Sequence, residues 1–284
     1  MSITGALVLV VYALVEAPGA GWASAQTILL LAAGGTLLAI FVVIEARHRA
    51  PLVPPRILRS RTLVGANAVM LLFGTVAFGM PFVVTLYAQR VLGYSALEFG
   101  AGFVVTPIAA AVGMIAAQAA IARVGFRPVA VTGMALLGAG SLLLSQASVD
   151  GSYFGDLFFG IFVFGLGIGP AFATATIAAL AGVRERDTGI ASGLSNTAFQ
   201  LGGALGVAIV STVAVARSDD FRAAHEGADP LLVLTTGLQS AFVACAVLCA
   251  AGALLALLLL GAARPAEDEG AEPAAATAAA GRTP

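Results

Sequence analysis

Few side chains in this sequence could do chemistry, and those few are scattered. The two histidines, His48 and His225, fall far apart in segments that read as loops, so they do not build a metal site. Cys245 and Cys249 stand one helical turn apart inside an apolar run, a spacing that fits neither a redox motif nor a metal framework; they read as buried helix residues. Gly165, Gly167 and Gly169 resemble a nucleotide-binding turn only superficially, because the spacing is wrong and no strand precedes them. Serine, histidine and acid converge nowhere. The expectation is therefore no enzyme, no metal and no bound cofactor.

What remains is a set of polar groups inside apolar runs. Glu16, Glu45 and Glu98 stand at the ends of such runs, where water solvates them. Asp156 lies about one turn into its run. An ionisable group there is a candidate for proton traffic; an interfacial acid near a helix N-terminus is the alternative reading. Asn67, Gln118, Asn196 and Gln200 either bond helix to helix or line a water-filled path, with Gln118 read as a helix-to-helix bond. Asn196 and Gln200 are one turn apart and share a face. Phe158, Phe159, Phe162 and Phe164 ring one run, and a phenylalanine turned to a cavity suits an apolar, aromatic ligand.

Glycines form the clearest pattern. Gly165 and Gly169, Gly189 and Gly193, and Gly202 and Gly206 are each four residues apart, so each pair occupies one helix face. Small residues at that spacing let helix backbones approach in a membrane. The faces serve either static packing or a rocking interface. Pro170, directly after Gly169, removes one backbone donor and is expected to bend its helix.

The elements that hold these residues are membrane spans. The chain is 60% hydrophobic and 10% charged, with mean hydropathy +1.00; a soluble domain carries about 25% charged residues. Its net charge of −1 argues against a nucleic-acid partner. The gaps between charges predict eight spans, at 2–16, 27–45, 62–88, 97–121, 128–147, 153–180, 189–215 and 234–261. A turn is expected at Pro18–Trp22, a kink at Pro81 and a disordered tail at 264–284, and Pro107 falls near the middle of 97–121. With both termini in the cytoplasm, eleven arginines fall inside and three, Arg90, Arg217 and Arg222, outside.

Several segments carry a family resemblance: YALVEAPGAGW with FVVIEARHRAPLVPPRILRSRT, LYAQRVLGYSALEFGAGFVVTP, ARVGFRPVAVTG, and GLGIGP with RERDTGIASGLSNTAFQLGGALGVA. Together, residues 3–261 resemble the C-terminal part of a major facilitator superfamily transporter, in the fourteen-span drug:proton antiporter branch (EmrB/QacA type). The resemblance implies an all-α integral membrane fold. Residues 1–46 would be the central helix pair, 47–61 a cytoplasmic linker, 62–263 the C-terminal six-helix bundle built as an inverted pair of three-helix repeats, and 264–284 a cytoplasmic tail. ARVGFR is similar to the basic, glycine-containing loop after the second helix of a bundle, without its aspartate. Phe199 stands where many relatives carry an arginine.

By the same resemblance, Asn67, Phe73, Phe159 and Phe162 line a substrate cavity, with Asn196 and Gln200 at its edge. Asp156 is the one acid to test for proton coupling, and Gly165, Gly169, Pro170, Gly189, Gly193, Gly202 and Gly206 serve packing and gating. The implied partners are the lipid bilayer, a hydrophobic or cationic small molecule and an N-terminal six-helix half that this chain lacks. The smooth face of the span at 189–215 would meet that half. The implied activity is proton-driven efflux across the plasma membrane, with no cofactor beyond the proton gradient. The alternative is a truncated, non-transporting membrane scaffold or regulator.

Overall fold

The computed structural model describes residues 2–21, 24–47, 60–181 and 183–260, and every regular element among them is helical. In chain order these are α1 (Ser2–Ala20), α2 (Ala25–Arg47), α3 (Arg61–Leu86), α4 (Ala96–Phe103), α5 (Val105–Val124), α6 (Phe126–Leu144), α7 (Phe158–Leu180), α8 (Thr188–Ala224) and α9 (Pro230–Leu259). Six helical stretches among the described residues are long and apolar enough to cross a bilayer: α3 with the turn after it, α4–α5, α6, α7 with the turn before it, α8 with the turn before it, and α9. The apolar parts described for α1 and α2, Thr4–Ala13 and Ala25–Phe41, are shorter. Residues 48–59 of the linker expected at 47–61, Trp22 and the expected tail lie outside the described residues, while Arg61 already begins α3.

Local chemistry sets the helix ends. Ser60 Oγ accepts the Leu63 amide and starts α3. Ser95 and Glu98 exchange reciprocal side-chain and backbone bonds at the start of α4, satisfying donors that a helix N-terminus leaves open. Asp229 accepts the Leu231 amide, and Pro230 occupies the first turn of α9, where a missing N–H costs nothing. Two ends widen into π-type turns, Tyr87–Val91 after α3 and Tyr153–Leu157 before α7.

One expectation needs correction, and one expected span carries a break within it. The turn expected at Pro18 begins later: α1 continues to Ala20 and stops at Gly21, whose φ of 92° favours glycine. The span at 97–121 is two helices, broken at Val104. Pro107 has no N–H to offer the carbonyl of Phe103, four residues back, so the break follows from its chemistry. By contrast α3 runs on through Pro81 and α7 through Pro170. There the carbonyl freed by Pro170, that of Leu166, faces the backbone of Gly113 on α5.

The packing has an internal symmetry. α3 packs against α8, and α7 against α5; α3 packs against α9, and α7 against α6; α6 also meets α9. Exchanging α3 with α7, α5 with α8 and α6 with α9 reproduces this pattern. Registers agree with it. Along α3 and α8, Leu63 clusters with Ala191, Gly74 meets the Phe199 carbonyl and Gly79 meets Val210, so the two helices run in the same direction. Along α5 and α7, Ala109 meets Gly165 and Met114 meets Gly169, again in the same direction. Each three-helix unit thus lends its first helix to the second helix of the other. Outside this bundle, α1 and α2 pack on each other and α1 rests on α8.

Candidate functional site: an aromatic cavity between the repeats

The helices that cross between repeats also border an open cavity of about 520 Å³. Phe73, Ala77 and Phe78 of α3, Ala110, Ala111 and Met114 of α5, Ile168, Gly169 and Phe172 of α7, and Phe199 of α8 line it. Phe199 is its hub. Its ring stacks on Phe73 at 5.5 Å between centroids, tilts against Phe78 at 5.4 Å and meets Phe172 edge-on at 6.2 Å. Offset and tilted rings at these distances attract one another beyond simple burial. The wall is apolar and aromatic, and no charged side chain lines it.

Glycine lets the helices come close enough to form these walls. A Cβ on Gly165 would sit 2.8 Å from both Ala109 Cβ and the Thr106 carbonyl oxygen. One on Gly169 would collide with the α5 backbone at Gly113 and Met114, and ones on Gly202 and Gly206 with the α3 carbonyls of Leu71 and Thr75. Gly189 and Gly193 behave differently, since nothing lies within 4 Å of an added Cβ. The glycine face expected along 189–215 is therefore divided. Its second pair is spent inside the bundle against α3, and only its first pair remains open.

The expected site residues separate in the same way. Phe73 lines the aromatic cavity, and Asn196 lines a second, smaller cavity of about 120 Å³ that shares Phe172 and Phe199 with the first. Asn67 is half-buried on α3; its Nδ2 donates to the Leu63 carbonyl at 2.8 Å. Phe159 and Phe162 line neither cavity. They join an aromatic group around Phe158, with Phe162 stacked on Phe158 at 6.2 Å, and Phe159 is 63% exposed. Gln200 and Gln118 are exposed, and neither has a hydrogen bond among the described residues. The cavity's other phenylalanines, Phe78, Phe172 and Phe199, lie outside the lining expected from sequence. A signal for two of them exists: Phe172 shares a helix face with Gly165 and Gly169, and Phe199 with Gly202 and Gly206.

Asp156 sits at the far end of the bundle from the Leu63–Ala191 contact. Its Oδ1 accepts the Ser148 amide at 3.0 Å and its Oδ2 the Ser152 amide at 2.8 Å. Tyr87 Oη donates to the Ser148 carbonyl at 2.6 Å, tying the same loop to the end of α3. Both carboxylate oxygens are thus engaged in bracing the connection between α6 and α7.

Comparisons with known proteins agree with this architecture. The sequence profile described as Major Facilitator Superfamily matches residues 1–207. The puromycin resistance protein pur8 of Streptomyces alboniger is 34% identical over 225 residues, covering 78% of this chain and 44% of that protein. The cephamycin export protein CmcT of Amycolatopsis lactamdurans is 35% identical, over 68% of this chain and 40% of its own length. The tetracenomycin C resistance and export protein of Streptomyces glaucescens is 31% identical, over 77% and 40%. This chain accordingly spans about two fifths of the length of these relatives. With six candidate membrane spans among the described residues, arranged in a symmetric bundle, the chain is a multi-pass membrane protein that belongs to the major facilitator superfamily.

Proposed function

We propose that the chain is the C-terminal bundle of a proton-coupled exporter of apolar, aromatic small molecules, acting in the plasma membrane with both termini in the cytoplasm. It works by alternating access against an N-terminal six-helix half. The observation that carries this reading is the uncharged cavity around Phe199, placed where the two repeats cross. Such a wall holds flat apolar molecules by burial and ring contacts, while the helices around it meet through glycines and slide with little side-chain rearrangement. Relatives named for resistance to, or export of, puromycin, cephamycin and tetracenomycin C support the direction of transport.

The test uses inside-out vesicles from cells expressing this chain together with the first six spans of the puromycin resistance protein. An imposed proton gradient should drive accumulation of puromycin, a protonophore should abolish it, and Phe199→Ala should reduce it at least threefold. Expression without accumulation would favour the scaffold reading. Accumulation that ignores the protonophore would remove proton coupling.

A further inference from the structure

Of the seven buried serine and threonine hydroxyls described in this bundle, five follow the rule of donating to a carbonyl, four of them within their own helix. Thr75, Ser141, Thr174 and Thr235 each donate to the carbonyl four residues back, and Ser218 reaches across to the Val233 carbonyl. Thr106 has no partner, but its carbonyl four residues back, that of Gly102, already accepts Tyr153 Oη at 2.6 Å. Ser195 breaks the rule without such a reason. It is 5% exposed, its Oγ has no hydrogen-bond partner, and it lines the 120 Å³ cavity beside Phe172 and Phe199. A buried hydroxyl that forgoes its own helix carbonyl costs free energy unless something else meets it.

A second orphan, Asn67, lies at the same level along the bundle, although it is not among the residues that line either cavity. Asn67 spends its Nδ2 on Leu63, and its Oδ1 is buried without a partner. Because α3 and α8 run in parallel register, Asn67 and Ser195 both fall between the Leu63–Ala191 and Gly74–Phe199 contacts. Asn67 precedes Met70, which lines the same small cavity, by one turn. Ser195 can donate, and Asn67 Oδ1 can accept. No charged side chain lines either cavity. A space of 120 Å³ has room for about four waters, or for one polar edge of a ring whose body lies among the phenylalanines.

We propose that Ser195 and Asn67 form a hydrogen-bonding subsite for a hydroxyl group on a neutral aromatic ligand whose ring lies against Phe73, Phe172 and Phe199. A hydroxyl both gives and takes a hydrogen bond, as the unpartnered Ser195 hydroxyl does, so the two can pair in either sense while Asn67 Oδ1 adds an acceptor. An ammonium group finds no counter-charge there. The subsite rests on the reading of the aromatic cavity as the ligand cleft, and it adds selectivity for a polar substituent to that reading.

The experiment compares 2-naphthol with naphthalene by equilibrium dialysis against the full chain in nanodiscs, with empty nanodiscs subtracted. The chain should prefer 2-naphthol. Ser195→Ala should weaken 2-naphthol about 3- to 10-fold, the range of one hydrogen bond, and leave naphthalene unchanged. Asn67→Leu should narrow the preference in the same direction. Phe199→Ala should weaken both probes together. If neither Ser195→Ala nor Asn67→Leu alters the 2-naphthol to naphthalene ratio while Phe199→Ala still weakens both, the subsite is wrong and the aromatic cleft stands. If Phe199→Ala changes neither, the cleft itself is wrong.

Discussion

At the scale of single residues, glycines with the same spacing carry opposite predictions. A side chain at Gly206 meets the Thr75 carbonyl of α3, which belongs to a backbone and cannot swing aside. Gly206→Val should therefore lower stability by about 1–3 kcal/mol or more, the usual cost of overpacking. Gly193 has open space around it, so Gly193→Ala should raise stability by roughly 0.5–1 kcal/mol through helix propensity alone. Thermal unfolding in detergent, followed by size-exclusion chromatography, reads both; equal midpoints for the two variants would contradict the packing described. Asp156 carries a different prediction. Asparagine offers one acceptor where the loop uses two, and its amide would confront a backbone donor. Asp156→Asn should therefore lower the unfolding midpoint but leave the pH profile of any residual transport unmoved. A displaced pH profile with an unchanged midpoint would make Asp156 a proton carrier instead.

At the scale of elements, the helices were legible because charges and apolar runs alternate so sharply. The expected 153–180 corresponds to the turn at Tyr153 and the helix ending at Leu180, and 62–88 to Arg61–Leu86. What sequence left open was orientation about each helix axis. Phenylalanines surround α7 on several sides, so composition could not separate Phe172, which faces the cavity, from Phe159, which does not. Uniformly apolar helices have no polar face to break that tie. The termini of α8 are more informative. At 37 residues it is about 55 Å long, well beyond a hydrocarbon core of about 30 Å, so one end must leave the membrane. Arg217–Asp220 and Arg222–Asp219 pairs mark its C-terminal end, at which Phe82 and Leu86 of α3 also lie, while Arg184 and Arg186 precede its start, near Leu63. A reporter fused at Asp219 should therefore score on the side opposite one fused at Arg186, and, with cytoplasmic termini, Asp219 should be outside. Both reporters on one side would refute the span.

At the scale of the whole molecule, the exposed surface has two characters. Along α9 it shows Val243, Val247, Leu254 and Leu258, all strongly exposed and all apolar, which is a surface for lipid tails. Along the first half of α8 it shows Gly189, Ser192, Gly193, Asn196 and Gln200, which share one side of the helix and are all exposed. Amide and hydroxyl groups turned toward hydrocarbon are unfavourable, and glycines there leave lipid little to grip. The same residues are well suited to another helix, whose backbone can come close and whose polar groups can bond theirs. Ser192 and Asn196 also border the small cavity, so a helix laid on this face would roof the proposed ligand site. A helix from the N-terminal half is the occupant that the proposed alternating-access mechanism requires. Gly193→Leu should then not destabilise the isolated chain, and should raise its stability by an amount similar to that expected for Gly193→Ala, because leucine is nearly as good a helix former and the site is open. It should nonetheless reduce recovery of this chain with the co-expressed, tagged first six spans of the puromycin resistance protein. Val247→Leu, on the lipid-facing side, should reduce neither. Equal recovery of the Gly193→Leu variant and the unaltered chain would mean that this face meets lipid, and that the bundle closes against its partner elsewhere.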